Sequence, residues 1–506
     1  MLGNIKKFIK DNYKYILFCT VFLVINSFFI LRIHGAIGGW KFLLIASLLV
    51  AQLTLCALGY YLYKARNWQP HRLFLLFSIA IGLMYVFVMP PGTAPDEYNH
   101  FRRAYEISEF KFISTRAETD GEGGDYLPES INELFSIWPT NVRYSNIPEI
   151  ASKANQPSDD VFQNFGNTAL YSPVVYLPQS IGILIGRILH LPLFAIFYLA
   201  RIFNLAFWII LGYYAIKKLP FGKNVLLLIL FLPISMQAAT SCQADAITNA
   251  STIALFAFVL NKISAPKLMT RKDYAISAIL AVLVSMSKIV YLPFCFLLLL
   301  LPGKCFKNNK EKWLKIGGLL LAIVAANLLW LSISAGFLVE FREGVNSAEQ
   351  VKFILTNPFK YLAIVGSSIA EQGTFYFFSF FGSSLAHFNI GLAEPYLLLL
   401  AFFIPYAYLQ EDKNCLSTKQ KVAITAISAV CAGLIFTSIY VQWTPVKNPL
   451  IEGIQGRYFI PLALPILFLI KPFASHAKKD FVLYTFAILS AINLYALASM
   501  LAYYMM

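Results

Sequence analysis

In the run PPGTAPDEYNHFRRAYEIS, Asp96, His100 and Arg103 recur at spacings of four and three residues, so on a helix they share one face. A carboxylate, an imidazole and a guanidinium aligned in this way can move a proton beside an anionic group. Glu97 and Arg102 flank the stripe. A purely structural account exists: Thr93 as N-cap, Pro95 in the first turn, and two acids near the positive end of the helix. Capping explains Asp96 and Glu97 but leaves His100 and Arg103 unexplained.

Three further groups stand out because they interrupt apolar sequence. Asp245 lies in SCQADAITNA, with Gln243 and Asn249 nearby, at the start of a hydrophobic run. Lys288 is a lone cation in Ser287-Lys288-Ile289, and Arg457 with Tyr458 follows Glu452 in IEGIQGRYFIP. Ionisable groups at such positions mark pathways or sites. Each alone also has a plain role as a surface cap, a snorkelling lysine or an interfacial anchor. Together they supply two carboxylates and several cations, which is the chemistry of a phosphate-binding site with a base beside it.

The elements that must position these residues are membrane helices. Of 506 residues, 58% are hydrophobic and 13% charged, with mean hydropathy +0.64, which excludes a soluble globular protein of this length. Residues 91–170 carry 13 acidic and 6 basic residues, net −7. With +15 overall, +22 remains for the rest. That excess clusters in short loops (Lys217, Lys218, Lys223; Lys262, Lys267, Arg271, Lys272; Lys304 to Lys315; Lys471, Lys478, Lys479), so it reads as the positive-inside pattern and not as a nucleic-acid surface. The seven cysteines avoid the acidic loop, and no disulfide framework is indicated.

At ~20 apolar residues per crossing, the pattern predicts an all-α polytopic protein with about 13 transmembrane helices. The segments are 1–90 (three spans), 91–191 (a large outer loop), 192–335 (a central bundle), 336–394 (a second outer segment) and 395–506 (terminal spans). Lys6, Lys7, Lys10 and Lys14 precede an uncleaved first span, so the N-terminus is expected in the cytoplasm and the acidic loop outside. Counting crossings between basic clusters makes 170–190 and 357–381 outer-surface helices. The same count makes 274–287 and 289–301 a short pair turning at Lys288.

The P-D-E-x-x-H-x-x-R-A run at Pro95 to Ala104, Ala244-Asp245 with Asn249, Ser287-Lys288, and Gln455-Gly456-Arg457-Tyr458-Phe459 together resemble a widespread family of bacterial integral-membrane proteins grouped with the GT-C glycosyltransferases. The resemblance spans roughly 90–461. It implies a GT-C-like fold with juxtamembrane helices in the first large extracytoplasmic loop, with Asp96 as catalytic base and Asp245 as a second acid. Length and architecture are also similar to serotype-converting glucosyltransferases that decorate O-antigen in lipopolysaccharide. The expected enzyme is an inverting glycosyltransferase of the bacterial inner membrane. Its donor is a polyprenyl-phosphate monosaccharide and its acceptor an extracytoplasmic polysaccharide or lipid-linked glycan. Glu97 or His100 would orient the base or the acceptor, and Arg102, Arg103, Lys288 and Arg457, with Tyr458, would hold the phosphate. Asp96, Glu97, His100 and Asp245 could ligate a divalent metal, but flanking cations make a cofactor unnecessary. The alternative is a transporter or flippase of lipid-linked sugars, for which the chain lacks the expected repeated halves.

Overall fold

The computed structural model describes residues 2–34, 39–117, 121–337, 342–411, 416–470 and 480–506. Lys471, Lys478 and Lys479 lie outside them. The chain opens with α1 (Leu2–His34), α2 (Trp40–Lys64) and α3 (Pro70–Val88), and α4 (Glu97–Ser108) then leads into the acidic loop. The loop holds α5 (Ser130–Leu134), α6 (Ile147–Ala154) and α7 (Gly166–Ala169), and it returns through a 3-10 turn (Pro173–Tyr176) into α8 (Leu177–Ile188). The central bundle is α9 (Leu193–Lys218), α10 (Lys223–Leu230), α11 (Pro233–Ala239), α12 (Asp245–Ser264) and α13 (Arg271–Ser287), followed by a 3-10 helix over Ile289–Leu300. Next come α14 (Asn309–Lys312) and α15 (Gly318–Ser334), fused through a π turn. The rest comprises α16 (Ser347–Thr356), α17 (Pro358–Phe381), α18 (Glu394–Leu409), α19 (Thr418–Gln442), α20 (Ile460–Leu467) and α21 (Phe481–Met505).

Among the described residues, eight helices are long and apolar enough to cross a membrane: those in 10–32, 42–64, 70–88, 193–218, 245–264, 309–337, 418–442 and 481–505. The other five expected crossings fall on shorter or broken elements. One is α10–α11, split where Pro233, lacking an N–H, cannot continue a helix. The others are α13, the 3-10 helix, α18 and the segment Gly456–Leu467. The pair around Lys288 is nevertheless matched in length. The 3-10 helix rises ~2.0 Å per residue and so covers about 24 Å in its 12 residues, against about 26 Å for the 17 of α13 at ~1.5 Å. The segments expected at the surface appear as the short Pro173–Ile188 unit and as α17.

The acidic loop departs from an all-α expectation. It contains a three-stranded antiparallel sheet of β1 (Thr115–Arg116), β2 (Gly123–Pro128) and β3 (Asp160–Asn164), in that order, with Gly124 opposite Asn164 and Pro128 opposite Asp160. Its return strand brings the chain back to α7 beside α4, where Thr168 Oγ1 donates to the Asn99 carbonyl over 3.1 Å.

Contacts sort the helix ends into two groups. At one end Asn261 donates to the Lys218 carbonyl, Lys262 pairs with Asp273 at 2.8 Å, and Lys312 donates to the carbonyls of Leu299 and Leu301. At the other end Tyr503 donates to the Thr140 carbonyl (2.6 Å), Tyr144 to that of Val88 (2.6 Å) and Trp330 to that of Leu170 (2.9 Å). The described basic clusters therefore gather opposite the acidic loop.

One buried ion pair fixes α4 to this frame. Arg201, on α9, donates through Nε to Glu97 Oε1 (2.8 Å) and through Nη2 to Oε2 (2.6 Å), with neither side chain exposed. The backbone N–H groups of Gly92 and Cys242 complete the carboxylate, while the remaining guanidinium hydrogens reach the carbonyls of Val86, Met89 and Pro90. Five segments thus meet at one pair. Removing one partner of such a pair costs about 3–5 kcal/mol, because the other charge stays buried. Glu97→Ala should therefore lower thermal stability in detergent sharply, whereas Glu149→Ala, on the loop surface, should leave it unchanged.

Candidate functional site

Four elements meet at the loop end of the bundle. α12 begins at Asp245, and Lys288 occupies the extended residue between α13 and the 3-10 helix. Arg457 sits in a 3-10 turn (Gly456–Phe459) leading into α20, and α4 contributes His100. Lys288 Nζ pairs with Asp245 Oδ1, and Arg457 Nε lies 3.2 Å from Oδ2. Residues 43 and 212 positions apart thus converge on one carboxylate. The Lys288 ammonium also lies 5.5 Å from the Tyr171 ring centre and 5.2 Å from that of Tyr458, two aromatic faces that hold a cation without neutralising it. Arg457 Nη1 is buried with no hydrogen-bond partner.

His100 borders this cluster. Its Nδ1 shares a 2.8 Å hydrogen bond with Tyr176 Oη, and its ring stacks at 12° on Tyr171. Burial, helped by the Lys288 and Arg457 charges, outweighs the opposing pull of Asp96 and Asp245 and pushes the imidazole down to about 4. His100 is therefore neutral at physiological pH. It serves as a hydrogen-bonding group there and not as a cation.

Asp96 differs from its neighbour Glu97 and from Asp245, both of which are ion-paired. It occupies the position before α4 with φ 57° and ψ 12°, a left-handed conformation that Asp adopts more readily than most residues but at some cost. Gln243 Nε2 donates to the preceding Pro95 carbonyl (2.7 Å), and the Asp96 carbonyl accepts from the N–H groups of Asn99 and His100. No hydrogen bond or ion pair reaches its half-buried carboxylate among the described residues. The expected cap is not formed: the Thr93 hydroxyl turns back to the Pro90 carbonyl, and Pro95 lies outside the helix.

Several expected site residues are held elsewhere. Glu97 belongs to Arg201 and cannot orient a substrate. Arg103 is buried against Glu106, Ser114 and the Phe112 carbonyl, so it turns away from the face it was expected to share with Asp96. Burial raises the Glu106 carboxyl to about 7 against the opposing pull of Arg103. Arg102 is bound by Gln163, Asn132 and Asn99 and lies over the rings of Tyr98 and Phe135, which pins the loop to α4. Tyr458 contributes its ring to Lys288 and its carbonyl to the Tyr291 hydroxyl (2.6 Å). The expected metal-ligand set of Asp96, Glu97, His100 and Asp245 is not assembled. Among the described residues no three His, Cys, Asp or Glu side chains converge on one point.

Arg201, Tyr171 and Tyr176 were not among the expected site residues. Arg201 is the lone charge in the interior of the α9 span, and intramembrane charges are exceptional. The two tyrosines carried no such signal.

A cavity of about 180 Å³ opens beside Lys288. Its polar end is Lys288, Tyr171, Ser172 and Tyr458, and its walls are α15 (Asn327, Trp330, Leu331), α19 (Ile435, Ile439) and the start of the 3-10 helix. A cationic head and a greasy wall between spans are together suited to a phosphorylated lipid.

Gly456 sets the position of Arg457. A Cβ there would lie 2.2 Å from both the Phe380 nitrogen and the Tyr376 carbonyl oxygen of α17, and the Gly456 N–H donates to Ser379 Oγ over 2.9 Å. Gly456→Ala should displace the turn and reduce any Arg457-dependent activity at least about tenfold. Gly433→Ala, where a Cβ meets open space, should be silent in the same assay.

The chain matches no curated protein and no solved structure. A family model described as "Predicted membrane protein (DUF2142)" matches residues 79–466, most of the chain and every residue of the cluster. The chain therefore belongs to this family of membrane proteins.

Proposed function

We propose that this protein is an inverting glycosyltransferase that moves a monosaccharide from a polyprenyl-phosphate donor to a cell-surface glycan, with the loop end of the bundle facing out of the cytoplasm. The observation that carries the reading is the Asp96 carboxylate, unpaired among the described residues and held in a left-handed turn within electrostatic reach of Arg457, whose partner Asp245 also holds Lys288 at the head of an apolar-walled cavity. Asp96 takes the proton from the acceptor hydroxyl as its oxygen attacks the anomeric carbon, and the carbon–oxygen bond to the phosphate breaks. The leaving polyprenyl phosphate gains a negative charge, which Lys288 and Arg457 stabilise. Asp245 keeps both cations ordered before the donor arrives. The neutral His100 orients the acceptor or the base.

Purified enzyme supplied with a polyprenyl-phosphate sugar and a glycan acceptor should form a product of the expected mass. Asp96→Asn should lower turnover by on the order of 10²–10⁴-fold while donor still binds. Lys288→Ala and Arg457→Ala should each cost about 10- to 150-fold, the value of a charge-assisted contact of ~1.5–3 kcal/mol, and should act on donor use more than on acceptor use. Arg457→Lys restores charge without the bidentate fork and should rescue only in part. Turnover above about a tenth of wild type in Asp96→Asn would remove the base assignment.

Orientation has a separate test. A membrane-impermeant thiol reagent added to intact cells should label Lys153→Cys, on the exposed face of α6, and miss Asn309→Cys. The reverse pattern would place the site in the cytoplasm.

A further inference from the structure

The segment between α17 and α18, which takes no part in lining the cavity beside Lys288, folds into a tight hairpin. Leu385 and Ile390 exchange two backbone hydrogen bonds, and Ala386 and Phe388 both take left-handed conformations (φ 52° and 66°). Non-glycine residues hold that conformation only where their surroundings insist on it. Here the constraint is Gln237 of α11, whose side chain accepts from the Ala386 N–H (2.6 Å) and donates to the Ala386 carbonyl.

This clamp holds polar atoms that no described residue satisfies. Both amide atoms of Asn389 and Nδ1 of His387 are buried without a hydrogen-bond partner. Buried amide atoms left unpaired each cost free energy, so a set of them on a pinned turn points to a ligand that completes them. The His387 ring meets the edge of Trp138 at 5.7 Å, and that indole is 61% exposed although the loop bearing it is tied to α21 by the Tyr503 hydrogen bond to Thr140. The charges of Asp96 and Arg457 act on His387, while Lys288 and Asp245 do not register there. The hairpin thus lies within electrostatic reach of Asp96 and Arg457, and none of its residues lines the cavity beside Lys288.

We propose that Trp138, His387 and Asn389 form a saccharide-binding subsite, which receives the sugar ring that offers its hydroxyl to Asp96. An exposed indole gives a ring of C–H groups a flat apolar face, and an Asn amide both donates to and accepts from neighbouring hydroxyls. This extends the glycosyl-transfer reading by assigning the acceptor side, and its test does not depend on turnover.

The full-length protein in lipid nanodiscs is applied to an array of bacterial-surface oligosaccharides. Wild type and Asp96→Asn should retain the same glycans, and Trp138→Ala and Asn389→Ala should each weaken retention about tenfold or more, the loss of one or two hydrogen bonds or a stacked ring. Trp138 is exposed, so its replacement leaves folding intact. Where transfer is measurable, both variants should raise acceptor KM and leave donor KM in place. Retention of no glycan by wild type, or equal retention by both variants, overturns the subsite. Glycan retention that depends on the hairpin, in a protein that transfers no sugar, would sustain the subsite and remove the transferase reading.

Discussion

The Glu97–Arg201 pair is the constraint from which the geometry of the loop end follows. Both charges are excluded from solvent, so each is tolerable only while the other is in place and the remaining lone pairs and hydrogens are filled. They are filled by backbone groups from the end of α3, the 90–92 turn and the 240–245 segment. A single guanidinium therefore registers α9, α3 and α4 against the start of α12. Asp96 is the next residue in the chain, and its position is inherited from that pair. Two adjacent acids thus differ: the Glu97 carboxylate is saturated with partners, and the Asp96 carboxylate has none among the described residues.

The second pairing has a different character. Asp245 meets two cations, so these three side chains by themselves keep a net positive charge and an incompletely bonded guanidinium. A site with surplus cation and an unpaired donor costs stability unless an anion completes it. On the glycosyl-transfer reading the surplus is electrostatic preorganisation, set before the phosphate's charge develops. The aromatic faces of Tyr171 and Tyr458 hold Lys288 without cancelling it, so its charge remains available.

Helix breaks in the bundle coincide with the site. Lys288 can stand at the head of the cavity because α13 ends one residue earlier and the chain resumes as a 3-10 helix, which spans a comparable height with fewer residues. Arg457 enters from a 3-10 turn that only glycine allows to lie against α17. Continuous helices would have buried both side chains among apolar neighbours or pointed them into lipid.

Composition and charge order alone determined that this is a polytopic helical membrane protein and that the described basic clusters collect opposite the acidic loop. Hydropathy and charge are additive along a chain and need no partner to be read. That Asp245, Lys288 and Arg457 stand apart from their surroundings was also legible, because a charge in apolar sequence is conspicuous wherever it folds. Which charges would meet was not. Arg102 and Arg103 have the same residue type as Arg457 and adjoin Asp96 in sequence, yet they are spent on Gln163, Asn132 and Glu106, while Arg457 arrives from more than 350 residues away. Asp96 and Glu97 are likewise indistinguishable until Arg201 selects one of them. The sheet in the acidic loop and the clamped hairpin at 385–390 were invisible for the same reason. Pairing between distant segments depends on where the tertiary structure brings them, and only the folded chain decides that.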